Sequence, residues 1–161
     1  MAAIHIRKAE LRDVSAIAAF NQAMAQETEG KALVPEIIAA GVRALLEHPA
    51  WGFYLVAEID SKTVASLMVT MEWSDWRNGL FWWIQSVYVA PEYRRQGIYR
   101  QMYAFVKDLA EQEPNVCGFR LYVERDNTRA QTTYAALGME ESPYRIFEAL
   151  KPTVKYMQAS T

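Results

Sequence analysis

The sequence predicts an α/β (α+β) fold: a mixed, mostly antiparallel central sheet flanked by four helices. Three observations predict it. Apolar residues alternate at period two in several short stretches and recur at helical spacing in others. Gly, Pro, Asn and Asp punctuate the changes of period. One strand–helix–strand unit, around Gly97, brings a parallel pair into a sheet otherwise built from hairpins. The 161 residues suit a single domain, 1–161.

The elements follow in order. Ile4 to Arg7 alternates as a strand, and Asp13 stands where an N-cap belongs. Leu11, Val14, Ile17 and Ala18 give helical spacing as far as Met24. The polar run Gln26 to Lys31 reads as a loop. Pro35 opens a second helix, with Ile38, Val42, Leu45 and Leu46 on one face, and His48-Pro49 ends it. Phe53–Ile59 and Thr63–Met71 read as strands around the turn Asp60-Ser61-Lys62, and Glu72 to Gly79 as the next loop. Leu80–Val89 is almost continuously apolar, as a central strand buried on both faces requires. A helix from Ile98 to Glu111, a strand Cys117–Glu124, a helix Asn127–Leu137 with Gly138 in the C-terminal capping position, and a last strand Tyr144–Leu150 complete the pattern.

Composition excludes several classes of function. Seventeen basic residues against 19 acidic give a net charge of −2, unlike a chain that lives on phosphate-backbone contacts, so no nucleic-acid partner is expected. No apolar run reaches the ~18 residues of a membrane span. The start reads as a strand and not as a signal peptide, so a cytoplasmic location is expected. The one cysteine, Cys117, rules out an internal disulfide framework and any multi-cysteine metal site. It reads as a buried structural thiol, and neither His5 nor His48 suggests a metal or a catalytic dyad.

Two stretches carry chemistry. Arg94-Arg95-Gln96-Gly97-Ile98-Tyr99-Arg100 lies between a buried strand and a helix start. Unpaired N–H groups there, close approach over Gly97 and three arginines suit a diphosphate. From spacing alone the same stretch fits an ordinary capped turn equally well. The second is Asn127-x-x-Ala130-x-x-x-Tyr134-x-x-Leu137-Gly138-Met139, whose marked positions share one helix face. Alone, Asn127 is an N-cap and Tyr134 a core aromatic.

In this order and spacing the two resemble the paired signatures of the GNAT superfamily of acyl-CoA-dependent N-acyltransferases. Arg94, Gly97 and the strand Val87-Tyr88-Val89-x-Pro91 match the first. Asn127 to Gly138 match the second, with Met139 for its final aromatic. Tyr99 departs from the small residue that closes the first signature.

The resemblance implies a GNAT-like sheet whose parallel pair splays apart. It implies acetyl-CoA as co-substrate, no metal, and acetyl transfer by direct attack of an amine. Pantetheine would lie along Val87, Tyr88 and Val89, with the Val87 N–H polarising the thioester carbonyl. Arg94, the amides of Arg95, Gln96, Gly97, Ile98 and Tyr99, and the Arg100 side chain would hold the diphosphate. Asn127 would contact the pantetheine arm, and Tyr134 would protonate the leaving thiolate. Gln85 and Ser86 stand where many relatives place a carboxylate. Glu72 is therefore the candidate base, through water, Glu124 a weaker one, and solvent a third proton acceptor.

The acceptor is a small-molecule or protein amine. Trp73, Trp76, Trp82 and Trp83, with Glu72, Asp75, Glu27 and Glu29, point to a small cationic amine. At least one of Trp82 and Trp83 is core, since strand neighbours face opposite ways. A homodimer is compatible with these residues. The competing function is a non-catalytic acyl-CoA-binding regulator that docks on a partner, suggested by Gln85, Ser86 and Tyr99.

Overall fold

The computed structural model describes residues 2–159. They form two compact units. The larger runs to Leu121 and resumes at Tyr156; the smaller is Tyr122–Lys155.

In the larger unit β1 (His5–Lys8), β2 (Gly52–Ile59), β3 (Lys62–Ser74), β4 (Gly79–Val89) and β5 (Val116–Arg120) form one sheet in the order β1-β2-β3-β4-β5. The first three pairings are antiparallel and β4–β5 is parallel. Helices α1 (Val14–Glu29) and α2 (Pro35–Glu47) cover one face. Val14, Ile17, Ala18, Val42 and Leu45 pack there against Tyr54 and Val56. On the other face α3 (Ile98–Glu111) buries Ile98, Met102, Tyr103 and Val106, and the Tyr103 ring meets Phe119 at 6.0 Å. Each such side chain contributes roughly 1.5–3 kcal/mol of burial. The smaller unit holds α4 (Thr128–Ala136).

Several elements differ from the sequence expectation. Helix α1 continues through Gln26-Glu27-Thr28-Glu29 instead of giving way to a loop, because polar residues with good helix propensity prolong a helix until something stops it. Gly30 stops it at φ 62°, its N–H returning to the carbonyls of Ala25 and Gln26. Asp13 occupies the N-cap position, yet its carboxylate makes no cap bond. It accepts from Arg7 at 2.8 and 2.9 Å and from the Glu10 amide at 2.7 Å. The β3–β4 loop shrinks to four residues, Asp75 to Asn78, because Glu72 and Trp73 pair with Phe81 and Leu80. Strand β5 ends at Arg120 and not at Glu124. Tyr144–Leu150 is not a strand: its unit contains no other strand to supply a ladder, and strand propensity is expressed only against a neighbour. Cys117 is exposed rather than buried.

Arg7 ties β1 to the start of α1 and to β2, bonding Asp13 and, at 2.6 Å, Glu58. Burial works to raise the Asp13 pKa, but hydrogen bonds from Arg7 and the Glu10 amide outweigh it and hold it below the usual carboxylate value. The Arg7 hydrogen bond holds Glu58 down as well. Both folded values lie below the unfolded ones. Their stabilisation is therefore complete above about pH 4 and is lost as pH falls through the folded values. Arg7→Met should cost about 3 kcal/mol at neutral pH and flatten this acid limb. Urea midpoints for both proteins between neutral pH and pH ~3 check it; parallel acid limbs would contradict it.

Candidate functional site

The site begins where β4 loses its neighbours. The parallel ladder with β5 stops at Trp83 and Arg120, so Ile84 to Val89 runs on without β5 beside it. On the other edge, Ser66 pairs with Tyr88 and Met68 with Gln85. One residue of β3, Leu67, thus faces two of β4, Ser86 and Val87. This is a β-bulge, with Ser86 at φ 50°. Beyond it the Ala90 N–H donates to the Val64 carbonyl of β3 at 2.9 Å. Strand alternation then directs the N–H groups of Val87 and Val89 toward the open edge.

The chain next makes a 3-10 turn, Pro91–Tyr93, and a loop in which Arg95 (φ 62°) and Gly97 (φ 75°) are both left-handed. Gly97 is the N-cap of α3, with no side-chain cap bond. The first intrahelical bond runs from the Gln101 N–H to the Gly97 carbonyl, which leaves the amides of Ile98, Tyr99 and Arg100 without helical partners. No atom outside the loop lies within 4 Å of the position a Cβ on Gly97 would take. The Tyr99 ring lies along α3 toward Tyr103, centroids 6.3 Å apart. Arg95 and Arg100 are exposed, and the Gln96 amide donates to the Glu92 carbonyl at 3.4 Å.

Arg94 is held by protein groups. Its Nε donates to the Val89 carbonyl and its Nη2 to Glu27 Oε2, each at 2.8 Å. Glu27 Oε1 accepts the Tyr88 hydroxyl at 3.0 Å. The hydrogen bond from Arg94 holds Glu27 below the ordinary carboxyl value. Tyr88 is pushed up, first by burial and then by Glu27. Both Glu27 oxygens therefore accept hydrogen bonds from the protein, and Glu29 lies 3.6 Å from Lys31.

Glu72 lies opposite Phe81, six residues before Val87. At ~3.3 Å per residue that is about 20 Å, too far for direct proton transfer. Its Oε1 accepts from Arg120 at 2.5 Å and from the Trp83 indole at 3.3 Å, and the Arg120 guanidinium stacks over Phe81. Trp82 is core, 4% exposed, and Trp83 lies on the opposite face, as strand alternation requires. Trp73 and Trp76 are exposed.

In the smaller unit Asn127 caps α4, its Oδ1 accepting from the Ala130 N–H at 3.1 Å. Gly138, at φ 89°, closes the helix, and the Met139 N–H returns to the Tyr134 carbonyl. Burial pushes the Tyr134 phenol above its ordinary value, so it carries its proton at neutral pH. Among the described residues no His, Cys, Asp and Glu cluster is arranged to hold a metal, and no helix is long and apolar enough to cross a membrane.

The sequence reading missed two features. The bulge had a signal: the polar pair Gln85-Ser86 interrupts an otherwise apolar strand. The Glu27–Arg94 pair, 67 residues apart, had none.

The model of the acetyltransferase (GNAT) family matches residues 15–139. The chain belongs to the GNAT acetyltransferase family. It is similar to a possible acetyltransferase from Clostridium difficile 630, with 46% identity over 92% of this chain and 97% of that one, at a TM-score of 0.86. It shares its fold with a Clostridium acetobutylicum acetyltransferase solved with acetyl-CoA (16% identity, 91% and 96% covered, TM-score 0.76). It shares it also with aminoglycoside N-acetyltransferase AAC(6')-Iy in complex with CoA (16% identity, 94% and 97% covered, TM-score 0.73). No curated protein matches the chain by sequence. As a GNAT member the protein is an acetyltransferase that depends on acetyl-CoA.

The bulge stores backbone strain at a non-glycine residue. Ser86→Val, which puts a β-branched side chain at φ 50°, should cost about 1–2 kcal/mol in urea unfolding. An unchanged midpoint would show that Ser86 is unstrained.

Proposed function

We propose that this GNAT acetyltransferase transfers the acetyl group of acetyl-CoA to a primary amine by direct attack. The observation that carries the reading is one continuous stretch of chain. Between Ile84 and Arg100 a bulged strand end without β5 beside it leads into a helix start whose amides lack helical partners behind Gly97. Peptide N–H groups bind amide and carbonyl oxygens along the strand, and anions at a helix N-terminus.

In this reading the pantetheine arm lies along Val87, Tyr88 and Val89, where the Val87 N–H stabilises the oxyanion that forms on the thioester carbonyl. The diphosphate sits on the loop Arg95, Gln96 and Gly97 and on the amides of Ile98, Tyr99 and Arg100, with the Arg95 and Arg100 side chains adding charge. Asn127 meets the pantetheine arm. The amine nitrogen forms its bond to the acetyl carbon, the carbon–sulfur bond breaks, Tyr134 gives its proton to the thiolate, and the nitrogen gives up its surplus proton to solvent, from which Tyr134 is reprotonated. A raised phenol pKa suits this role, since the acid must be protonated before transfer. Glu72 lies too far away to take the amine's proton directly, so the amine loses it to solvent or, through a chain of waters, to Glu72. With Glu27 and Glu29 paired, the acceptor is a primary amine, small or on a protein, that need not be polycationic.

The test is thiol release across a panel of small amines, peptide lysines and peptide N-termini, repeated with Tyr134→Phe. Loss of the general acid should lower kcat about 100-fold at neutral pH and leave acetyl-CoA affinity within about threefold. On the alkaline side, activity of the natural enzyme should fall only as pH rises past the ordinary phenol value of about 10, where the acid loses its proton. Unchanged turnover of the variant, with chemistry rate-limiting, would remove Tyr134 from the acid role. A panel without thiol release above hydrolysis would contradict amine acetylation.

A further inference from the structure

Arg94 opens the loop assigned to the diphosphate, yet its guanidinium is turned onto the protein. Its Nε reaches back five residues to the Val89 carbonyl and closes Val89 to Arg94 into a ring. Its Nη2 reaches Glu27, on the last turns of α1, and its Cζ stands 5.3 Å from the centre of the Tyr88 ring. Tyr88 is 7% exposed, packs on Phe20 of α1 at 5.2 Å and donates to the other oxygen of Glu27. Three segments thus meet on one carboxylate: the end of α1 and, 61 and 67 residues on, the end of β4 and the loop before α3.

We infer that Glu27 is a positioning residue for acetyl-CoA binding. It holds Arg94 and Tyr88 so that the start of α3 stands at a fixed place relative to the open edge of β4. Arg94 then acts from behind the loop and not on the phosphoryl oxygens. The inference rests on the reading that the start of α3 receives the diphosphate.

Several facts support this assignment. With Nε on Val89 and Nη2 on Glu27, Arg94 has one of the two edges by which a guanidinium makes a bidentate phosphate contact committed to protein acceptors. The loop it fastens contains two left-handed residues, Arg95 and Gly97, and gains little order from packing, since positions 94 to 97 are all exposed. A cradle of backbone amides binds only when its N–H groups converge, so a loop of this kind needs an external brace. The Glu27–Arg94 pair is itself about two-fifths exposed on each side. Its Coulomb contribution to global stability is therefore small, and its effect falls on local geometry.

The experiment is a double-mutant cycle read in acetyl-CoA affinity by calorimetry, alongside KM and kcat at a saturating amine. Glu27→Ala keeps a good helix former in α1 and removes the carboxylate. Glu27→Ala and Arg94→Ala should each weaken acetyl-CoA binding by about 3- to 10-fold, and the double variant by no more than either. KM for acetyl-CoA should rise accordingly, with kcat at saturation within about twofold. Glu27→Gln, which keeps one of the two acceptor oxygens, should recover part of the loss, and Tyr88→Phe should lose about half of it on a logarithmic scale. Arg100→Ala, by contrast, should add its full effect in the Glu27→Ala background.

Two results overturn the inference. In one, Arg94→Ala weakens binding as strongly in the Glu27→Ala background as in the natural protein, which puts Arg94 on the phosphates. In the other, Glu27→Ala leaves the affinity unchanged. Failure of the underlying site has its own signature: Arg94→Ala and Arg100→Ala are then both silent in acetyl-CoA affinity, and the inference falls with it.

Discussion

Backbone pairing that stops too early is the constraint on which the rest depends. β4 has a neighbour on each side, β3 and β5, and it is long enough to outlast one of them. β5 leaves it at Arg120, six residues before β4 itself ends at Val89. Peptide groups left in this way are costly unless something satisfies them. A bulge at Ser86–Val87 then twists the strand end, and the chain soon enters a helix whose first amides have no partner within the helix itself. Two sets of donors outside the regular ladder and helix bonds are thus delivered within one continuous stretch of sixteen or so residues. They suit a long ligand rich in amide oxygens at one end and phosphoryl oxygens at the other, as the coenzyme of this family is.

The apolar core exists to hold that stretch still. α1 and α2 clamp one face of the sheet through Ile17, Val42, Leu45 and Val56, and α3 clamps the other through Met102 and Val106. Several charged groups on the two sides of β4 are already partnered. Glu27, Arg94 and Tyr88 join one another, and Glu72 and Arg120 join across β4. Such pairs fix shape more than they add stability. They also leave the acceptor side with fewer free carboxylates than a count of acidic residues suggests.

Much of this was legible in the sequence. Hydrophobic period located α2, α3, β2 and β4 closely, because each buries a regular face. Asn127 and Gly138 marked the ends of α4, because capping is local chemistry. The loop before α3 was legible for the same reason: Gly97 takes a left-handed conformation that its position requires. What was illegible depends on neighbours. Polar residues 26–29 looked like a loop because composition does not show where a helix stops, and Gly30 does. Tyr144–Leu150 has the alternation of a strand but no partner within its unit. Asp13 has the right residue type for a cap, and Arg7 takes its carboxylate instead. Glu27 and Arg94 meet only through the fold, so no spacing announces them.

The central claim is that the backbone amides of the β4 end and the α3 start form one coenzyme surface. The most direct measurement is amide-resolved nuclear magnetic resonance during titration with acetyl-CoA. The account predicts that the amide signals of Val87, Val89, Ile98, Tyr99 and Arg100 move together, with a single affinity, and gain protection from exchange. Saturation by acetyl-CoA that leaves these five amides unmoved would contradict it.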